Sequence, residues 1–470
     1  MTRPDTAPEG GGCQRWFLGC LVVPLCAVLV LALVLFVGKG FREGHLLLNP
    51  EVAGNTAWSV EGLPGEVVGG WASDAAVVYA TEDGITAVDV GEGAERWRLE
   101  PSEAVCAMAQ ESRGGVGVFL VEGETEPDDV EGEEEVRSCD TALLVDLDSG
   151  EEVWRAGPLA DAEGARAELL FSRGSGVAHV GDRVLVRAGG ELVGLDAASG
   201  EESWRRGSLR AEGVACPAAD FMDRGEGEVV VVGDCGADES VTVHVVSPVT
   251  GEDVSAFAFE RGRSGPKVDA VGATSLVAAE PIHVRVDLGH RRGFGSGGYD
   301  PEEEAGQARE RQPVLAFDDD GRVRNELVVS GLFPVGGGEA RPFVVRDGLL
   351  YSSTDHSSCS NEVRAHDLET GELVWETALG DPGVSVVGVR EGRLLVMLDG
   401  VGSFGECHML GPGWDWQLYA LDAATGEAAP VSPPLRARQP RAAELWWVGG
   451  GVVQVERGLT DRPHLLVSYR

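Results

Sequence analysis

Lysine is almost absent from these 470 residues. Only Lys39 and Lys267 occur, and Lys plus Arg total 38 against 78 Asp plus Glu. The net charge of −40 offers no basic surface to neutralise phosphates, which argues against nucleic acid as a partner. It also favours solubility and repulsion from anionic headgroups. No Gly-rich phosphate loop, nucleophile elbow or pair of histidines at zinc spacing is present. No catalytic, cofactor-binding or metal-binding residue is therefore assigned, and the expectation is a chain that is not an enzyme and holds no cofactor. Length sets the next bound. A chain this long outgrows a single hydrophobic core, so several domains or a repeat architecture is required.

One segment is rich where the rest is mixed. From Trp16 to Gly38 no residue is charged, with Arg15 before the run and Lys39 and Arg42 after it. About 20 apolar positions suffice to cross a bilayer as a helix. A cleaved signal peptide would be shorter and would end in a small-residue site, which Val37-Gly-Lys-Gly-Phe41 is not. The flanking positive charges nearly balance, so charge does not orient the span. The reading is a short cytoplasmic tail at 1–15, a transmembrane helix at 16–38, a tether at 39–54 and one large domain at 55–470. The cysteines argue that this domain lies outside the cytoplasm. Six of the nine fall in it, an even number that fits three disulfides; free buried thiols are the alternative.

The domain is a repeat. Thr141-Ala-Leu-Leu-Val-Asp146 leads to Gly150 and Trp154, and the same pattern recurs. It gives Asp89, Gly93 and Trp97; Asp196, Gly200 and Trp204; Asp367, Gly371 and Trp375; and Asp422 with Gly426. Two units depart, with Ser255 after Gly251 and Asn325 after Gly321 in the Trp place. Successive glycines stand 57, 50, 51, 70, 50 and 55 residues apart, the length of a four-stranded propeller blade. The apolar runs alternate with period 2, which excludes helical repeats. In each unit Asp would cap a hairpin turn, Gly would supply its positive φ, and Trp would bury its face between blades.

Inner strands are expected at Val105–Met108, Val116–Val121, Ala167–Phe171 and Arg183–Arg187. After the last motif, Glu444–Trp447, Val452–Val455 and His464–Tyr469 form three strands that lack a fourth. Thr56–Val60, with Trp58 in the Trp place, forms a fourth strand that lacks three. Joining them closes the ring without a free edge. The fold expected is all-β, an eight-bladed propeller (seven blades as the alternative) preceded by one transmembrane α-helix.

Leu368-Glu-Thr-Gly-Glu-Leu-Val-Trp375 and Leu418-Tyr-Ala-Leu-Asp422-Ala-Ala-Thr-Gly426-Glu427 resemble the PQQ-like repeat of quinoprotein alcohol dehydrogenases and BamB-like envelope propellers. The resemblance covers nearly all of 55–470 and implies the propeller fold. A quinone-dependent dehydrogenase, the alternative function, would imply a pair of adjacent cysteines, and no two cysteines here are adjacent.

Strand alternation assigns the long insertions to one face, that of the B–C connections. On that face lie the acidic loop with Asp128 and Asp129, the loop with Arg291 and Arg292, and Trp414 with Trp416. Long loops on a rigid scaffold are where binding is usually placed, so these are the candidate binding residues. The cysteines pair on the same map as Cys106–Cys139, Cys216–Cys235 and Cys359–Cys407, with zinc held by His356, Cys359, Cys407 and His408 as a rival for the last pair. The functional expectation is a membrane-anchored, extracytoplasmic binding or scaffold propeller with a protein partner in the cell envelope.

Overall fold

Among the described residues every regular element is a β-strand. The computed structural model describes residues 56–123, 139–159, 176–188, 190–225, 227–235, 240–260, 274–286, 313–328, 343–353, 362–379, 384–398, 415–430, 435–436, 442–448, 451–456 and 464–469. The expected tail, membrane span and tether lie outside these residues. No helix among the described residues is long and apolar enough to cross a membrane.

The chain enters on β1 (Thr56–Leu63) and then writes its blades in order. Blade 1 is β2 (Val67–Ala72), β3 (Ala76–Thr81), β4 (Gly84–Asp89) and β5 (Glu95–Leu99). Blade 2 is β6 (Val105–Met108), β7 (Val116–Glu122), β8 (Cys139–Asp146) and β9 (Glu152–Ala156). Blade 3 is β10 (Val177–Val180), β11 (Arg183–Ala188), β12 (Glu191–Asp196) and β13 (Glu202–Arg206). A small hairpin follows, β14 (Leu209–Ala211) with β15 (Val214–Cys216). Blade 4 is β16 (Ala218–Gly225), β17 (Glu228–Asp234), β18 (Ser240–Val246) and β19 (Asp253–Glu260). Blade 5 is β20 (Thr274–Ala279), β21 (Ile282–Val286), β22 (Pro313–Phe317) and β23 (Val323–Val328). Blade 6 is β24 (Phe343–Arg346), β25 (Leu349–Ser353), β26 (Glu362–Asp367) and β27 (Leu373–Ala378). Blade 7 is β28 (Val384–Arg390), β29 (Arg393–Leu398), β30 (Asp415–Asp422) and β31 (Ala428–Pro430), with β32 (Leu435–Arg436) also paired to β30. The chain ends on β33 (Ala442–Val448), β34 (Gly451–Glu456) and β35 (His464–Tyr469).

Seven blades are thus written by consecutive strands. A further four-stranded sheet runs β1-β35-β34-β33 and is shared by the two ends of the described chain. Its register runs from Thr56 opposite Tyr469 to Leu63 opposite His464, the closure expected from the unmatched strands. One expected strand moves. Blade 3 takes Val177–Val180 as its innermost strand, and Ala167–Phe171 lies outside the described residues. Val177–Val180 is only four residues long, and Gly181-Asp182 turns it directly into β11, so it pairs by proximity although its apolar run is short.

The core lies in layers between blades. Strands two and three of each blade meet neighbours on both faces, so they read as unbroken apolar runs such as Val229–Val232, all fully buried. Val88 and Val90 pack with Val453 and Leu466 of the closing sheet. Trp71 and Ile85 pack with Phe119 and Leu143, Leu192 with Phe221, and Val243 with Leu276. Val314 packs with Leu350, and Val363 with Val386. Each buried Val or Leu contributes about 1.5–3 kcal/mol. The outermost strands have one solvated face, and in Glu152–Ala156 only Trp154 is buried.

Candidate functional site

The motif trio builds joints. Asp146 Oδ1 accepts from the amides of Asp148 (3.0 Å) and Ser149 (2.8 Å) and from the Ser149 hydroxyl (2.9 Å). Those bonds hold its carboxyl below the usual range, the Ser149 amide contributing most. Gly150 follows at φ 78°, and its amide donates to Asp146 O at 2.8 Å. Only glycine adopts that conformation without cost. The turns at Asp89, Asp196, Asp367 and Asp422 repeat the cap.

Each Trp then docks on the next blade's turn. Trp97 Nε1 donates to Leu147 O at 2.9 Å, and a Cβ placed on Gly150 would stand 2.5 Å from the Trp97 ring. Trp58 reaches Val90 O, Trp154 reaches Ala197 O and Trp204 reaches Pro248 O, each at 2.8 Å, and Trp375 reaches Ala423 O at 3.0 Å. Asn325 does the same less well, its amide donating to Glu369 O at 3.3 Å. Blade 4 differs. Ser255 holds the Trp place in register, opposite Val245, but Phe257 supplies the ring that covers Gly321. A scan for Trp four residues after Gly misses this, and the aromatic two positions further on is the signal.

The cysteines join as expected where they are described. Cys106 bonds Cys139 with Cα atoms 6.0 Å apart, and Cys216 bonds Cys235 with Cα atoms 4.6 Å apart. The two bridges are not equivalent. Cys106 sits on β6 of its blade, whereas Cys216 sits on the added β14–β15 hairpin and ties it to the end of β17. Cys359, Cys407, His356 and His408 lie outside the described residues. So do Asp128, Asp129, Arg291, Arg292 and Trp414. Trp416 is on β30, with its backbone opposite Leu435. Among the described residues no group of three or more His, Cys, Asp or Glu could hold a metal.

What the structure brings together lies on the other face, that of the short turns. A cavity of about 510 Å³ is lined by Asp74, Val387, Gly388, Arg390, Trp446 and Trp447, at the inner ends of blades 7 and 1 and the closing sheet. Arg390 ion-pairs with Asp74 across its mouth. A second, of about 290 Å³, opens between blades 4 and 5 and is lined by Arg224, Glu228, Val254, Ser255, Glu280 and Asp319. Arg113 and Asp223 pair at 2.8 Å between the innermost turns of blades 2 and 4. The turn face is therefore less uniform than the repeats imply. Sequence reading also passed over a network in which the buried His244 Nδ1 meets Asp253 Oδ1 at 2.9 Å and Arg206 grips both Asp253 oxygens at 2.7 and 2.6 Å nearer the surface. Burial pushes the His244 imidazole down, against the pull of Asp253. With its ring fully buried, His244 joins strands and has no access to a substrate.

A family model described as outer membrane protein assembly factor BamB matches residues 139–254 and 305–446, more than half of the chain. The chain belongs to that family. Among solved structures, BamB from Moraxella catarrhalis aligns at 13% identity and TM-score 0.48, over 88% of this chain and 99% of its own. The computationally designed Ika8 protein aligns at 14% and 0.52, over 89% and 100%. A quinohemoprotein alcohol dehydrogenase from Pseudomonas putida HK5 aligns at 12% and 0.47, over 90% and 78%. At such identities the likeness of this BamB-family propeller to solved structures is one of fold alone. No curated protein sequence matches it significantly.

Proposed function

We propose that this BamB-family chain is a membrane-anchored, extracytoplasmic binding propeller that scaffolds a protein partner in the cell envelope and catalyses no reaction. The observation that carries the reading is the pair of disulfides, Cys106–Cys139 and Cys216–Cys235. Such bonds persist in oxidising compartments and are rare in the cytosol. The apolar run at 16–38 supplies the anchor. Family membership supports an envelope role. The rigid ring gives the long loops a fixed platform, and rigid platforms carrying irregular loops are suited to recognition.

The test is photo-crosslinking on intact cells, with the photoreactive residue placed in turn at Asp128, Arg291 and Trp414. Amine-reactive reagents are unsuitable because Lys39 and Lys267 are the only lysines. One discrete adduct, formed without lysis, is expected. Adducts with cytosolic proteins alone, or none, would overturn the reading. So would dye reduction by the purified chain after reconstitution with pyrroloquinoline quinone and calcium.

A further inference from the structure

We infer that the cavity at the meeting of blade 7, the closing sheet and blade 1 is a binding site for a neutral saccharide. This goes beyond the scaffold reading and does not rest on it. On the innermost strands Trp71 lies opposite Val78, and Trp446 opposite Val453. The Trp71 ring covers Gly117 and donates its N–H to Ala109 O at 3.0 Å, and the Trp446 ring covers Gly70. Val78 stands two residues after the partner of the motif Asp89, as Leu395 does after the partner of Asp422. Opposite Leu395 is Gly388, so blade 7 has a glycine where blade 1 has an indole. Nothing lies within 4 Å of where its Cβ would stand. The missing side chain leaves room in a cavity of about 510 Å³, inside the range of about 300–1,000 Å³ typical of ligand pockets.

The groups around this space select the ligand. Trp58, Trp71, Trp97, Trp154, Trp204 and Trp375 each donate the indole N–H to a backbone carbonyl. Trp446 and Trp447, half-buried on the cavity wall, have no acceptor for theirs among the described residues. Two residues deeper, on the face of the closing sheet that Trp447 shares, Gln454 is fully buried, and neither atom of its amide has a partner among the described residues. Buried amides are ordinarily bonded, so this joint holds hydrogen-bonding capacity that the chain itself leaves unused. At the mouth, the Arg390–Asp74 pair sets donors beside acceptors with no net charge. The matching ligand is uncharged, apolar on its broad faces, and edged with groups that both donate and accept. A pyranose ring has that form, with C–H faces to lay on an indole and a rim of hydroxyls. An anion would meet a chain at −40 and no unpaired cation in the cavity. A plain aromatic ring would leave the polar groups unmatched.

The test is saturation-transfer NMR on the full chain in a detergent without a sugar headgroup, titrated with maltose, cellobiose and N,N′-diacetylchitobiose. Saturable binding of at least one disaccharide is expected, with its ring C–H protons the most strongly saturated. Gly388→Leu should abolish that binding by filling the cavity, and it should fold, because the position is open and its φ is not positive. Trp447→Ala should weaken binding about tenfold by removing one wall. Absence of saturation with all three sugars overturns the inference, as does unchanged binding in Gly388→Leu. Saturation by N-acetyltyrosine amide and by no disaccharide overturns it in favour of a peptide ligand. Should Trp447→Ala fail to fold, Gly388→Leu decides. Co-sedimentation with the insoluble polymer of the bound sugar tells a polymer end from a free sugar, and either source satisfies the inference. Crosslinked adducts on intact cells bear on the scaffold reading alone, so the two can fail separately.

Discussion

Replacing Gly150 by alanine tests the joint that recurs around the ring. Gly150 sits at φ 78°, where a side chain costs about 1–2 kcal/mol whatever surrounds it. A Cβ there would also stand 2.5 Å from Cδ2 and 2.6 Å from Cε3 of Trp97, closer than real contacts allow. The indole must move, losing its 2.9 Å bond to Leu147 O, about 1 kcal/mol, and part of its packing, about another 1–2 kcal/mol. The total is about 3–5 kcal/mol. Gly181 is the control, at φ 60° with nothing within 4 Å of its Cβ, so Gly181→Ala should cost only the backbone term, about 1–2 kcal/mol. Urea unfolding followed by tryptophan fluorescence measures both. In a Trp97→Ala background the excess at Gly150 should disappear, because the ring it strikes is gone. Equal losses at Gly150 and Gly181, or an excess that survives Trp97→Ala, would refute the docking argument.

Two further outcomes follow from the described residues. Peptide mapping without reduction should recover Cys106–Cys139 and Cys216–Cys235, which close sequence separations of 33 and 19. Each loop constrains the unfolded chain by about 3–4 kcal/mol in the chain-entropy account, so Cys106→Ser should lower the unfolding midpoint markedly; free thiol at any of the four positions contradicts the pairing. Stability should also fall as pH drops below about 6.5. Burial is the leading cause that pushes His179, His244, His283 and His366 down, so on acidification the unfolded chain takes up protons before the folded one does. The stabilisation is thus full above the ordinary histidine pKa of about 6.5 and is lost as pH drops toward the folded values. The depressed carboxyls, Asp146, Asp253, Asp367 and Asp422 among them, act in a separate window below about pH 4. Urea midpoints at high salt, which screens the net negative charge, should fall as pH drops below about 6.5; a flat or rising midpoint contradicts the assignment.

The blade motif was legible because its parts act locally. Asp146 caps amides two and three residues away, and Gly150 obeys the φ of its own turn. The disulfides were legible through topology, since β-alternation already sorted Cys106 with Cys139. Phe257 was not, because its job is defined by Gly321 on another blade. Neither was the network of Arg206, His244 and Asp253, whose members are 9 to 47 positions apart. The pairing of β18 with β19 and the packing of blade 3 on blade 4 make such groups partners.

By itself, the sequence determined the strand period, the turn chemistry, the closure of β1 on β35 and the repeat that places this chain in the BamB family. These follow from propensities and hydrogen bonds within a few residues, and from apolar runs that need partners. The tertiary structure alone decided how the joint between blades 4 and 5 is closed. That depends on what a ring from one blade finds on the next, and only the folded ring sets Phe257 over Gly321.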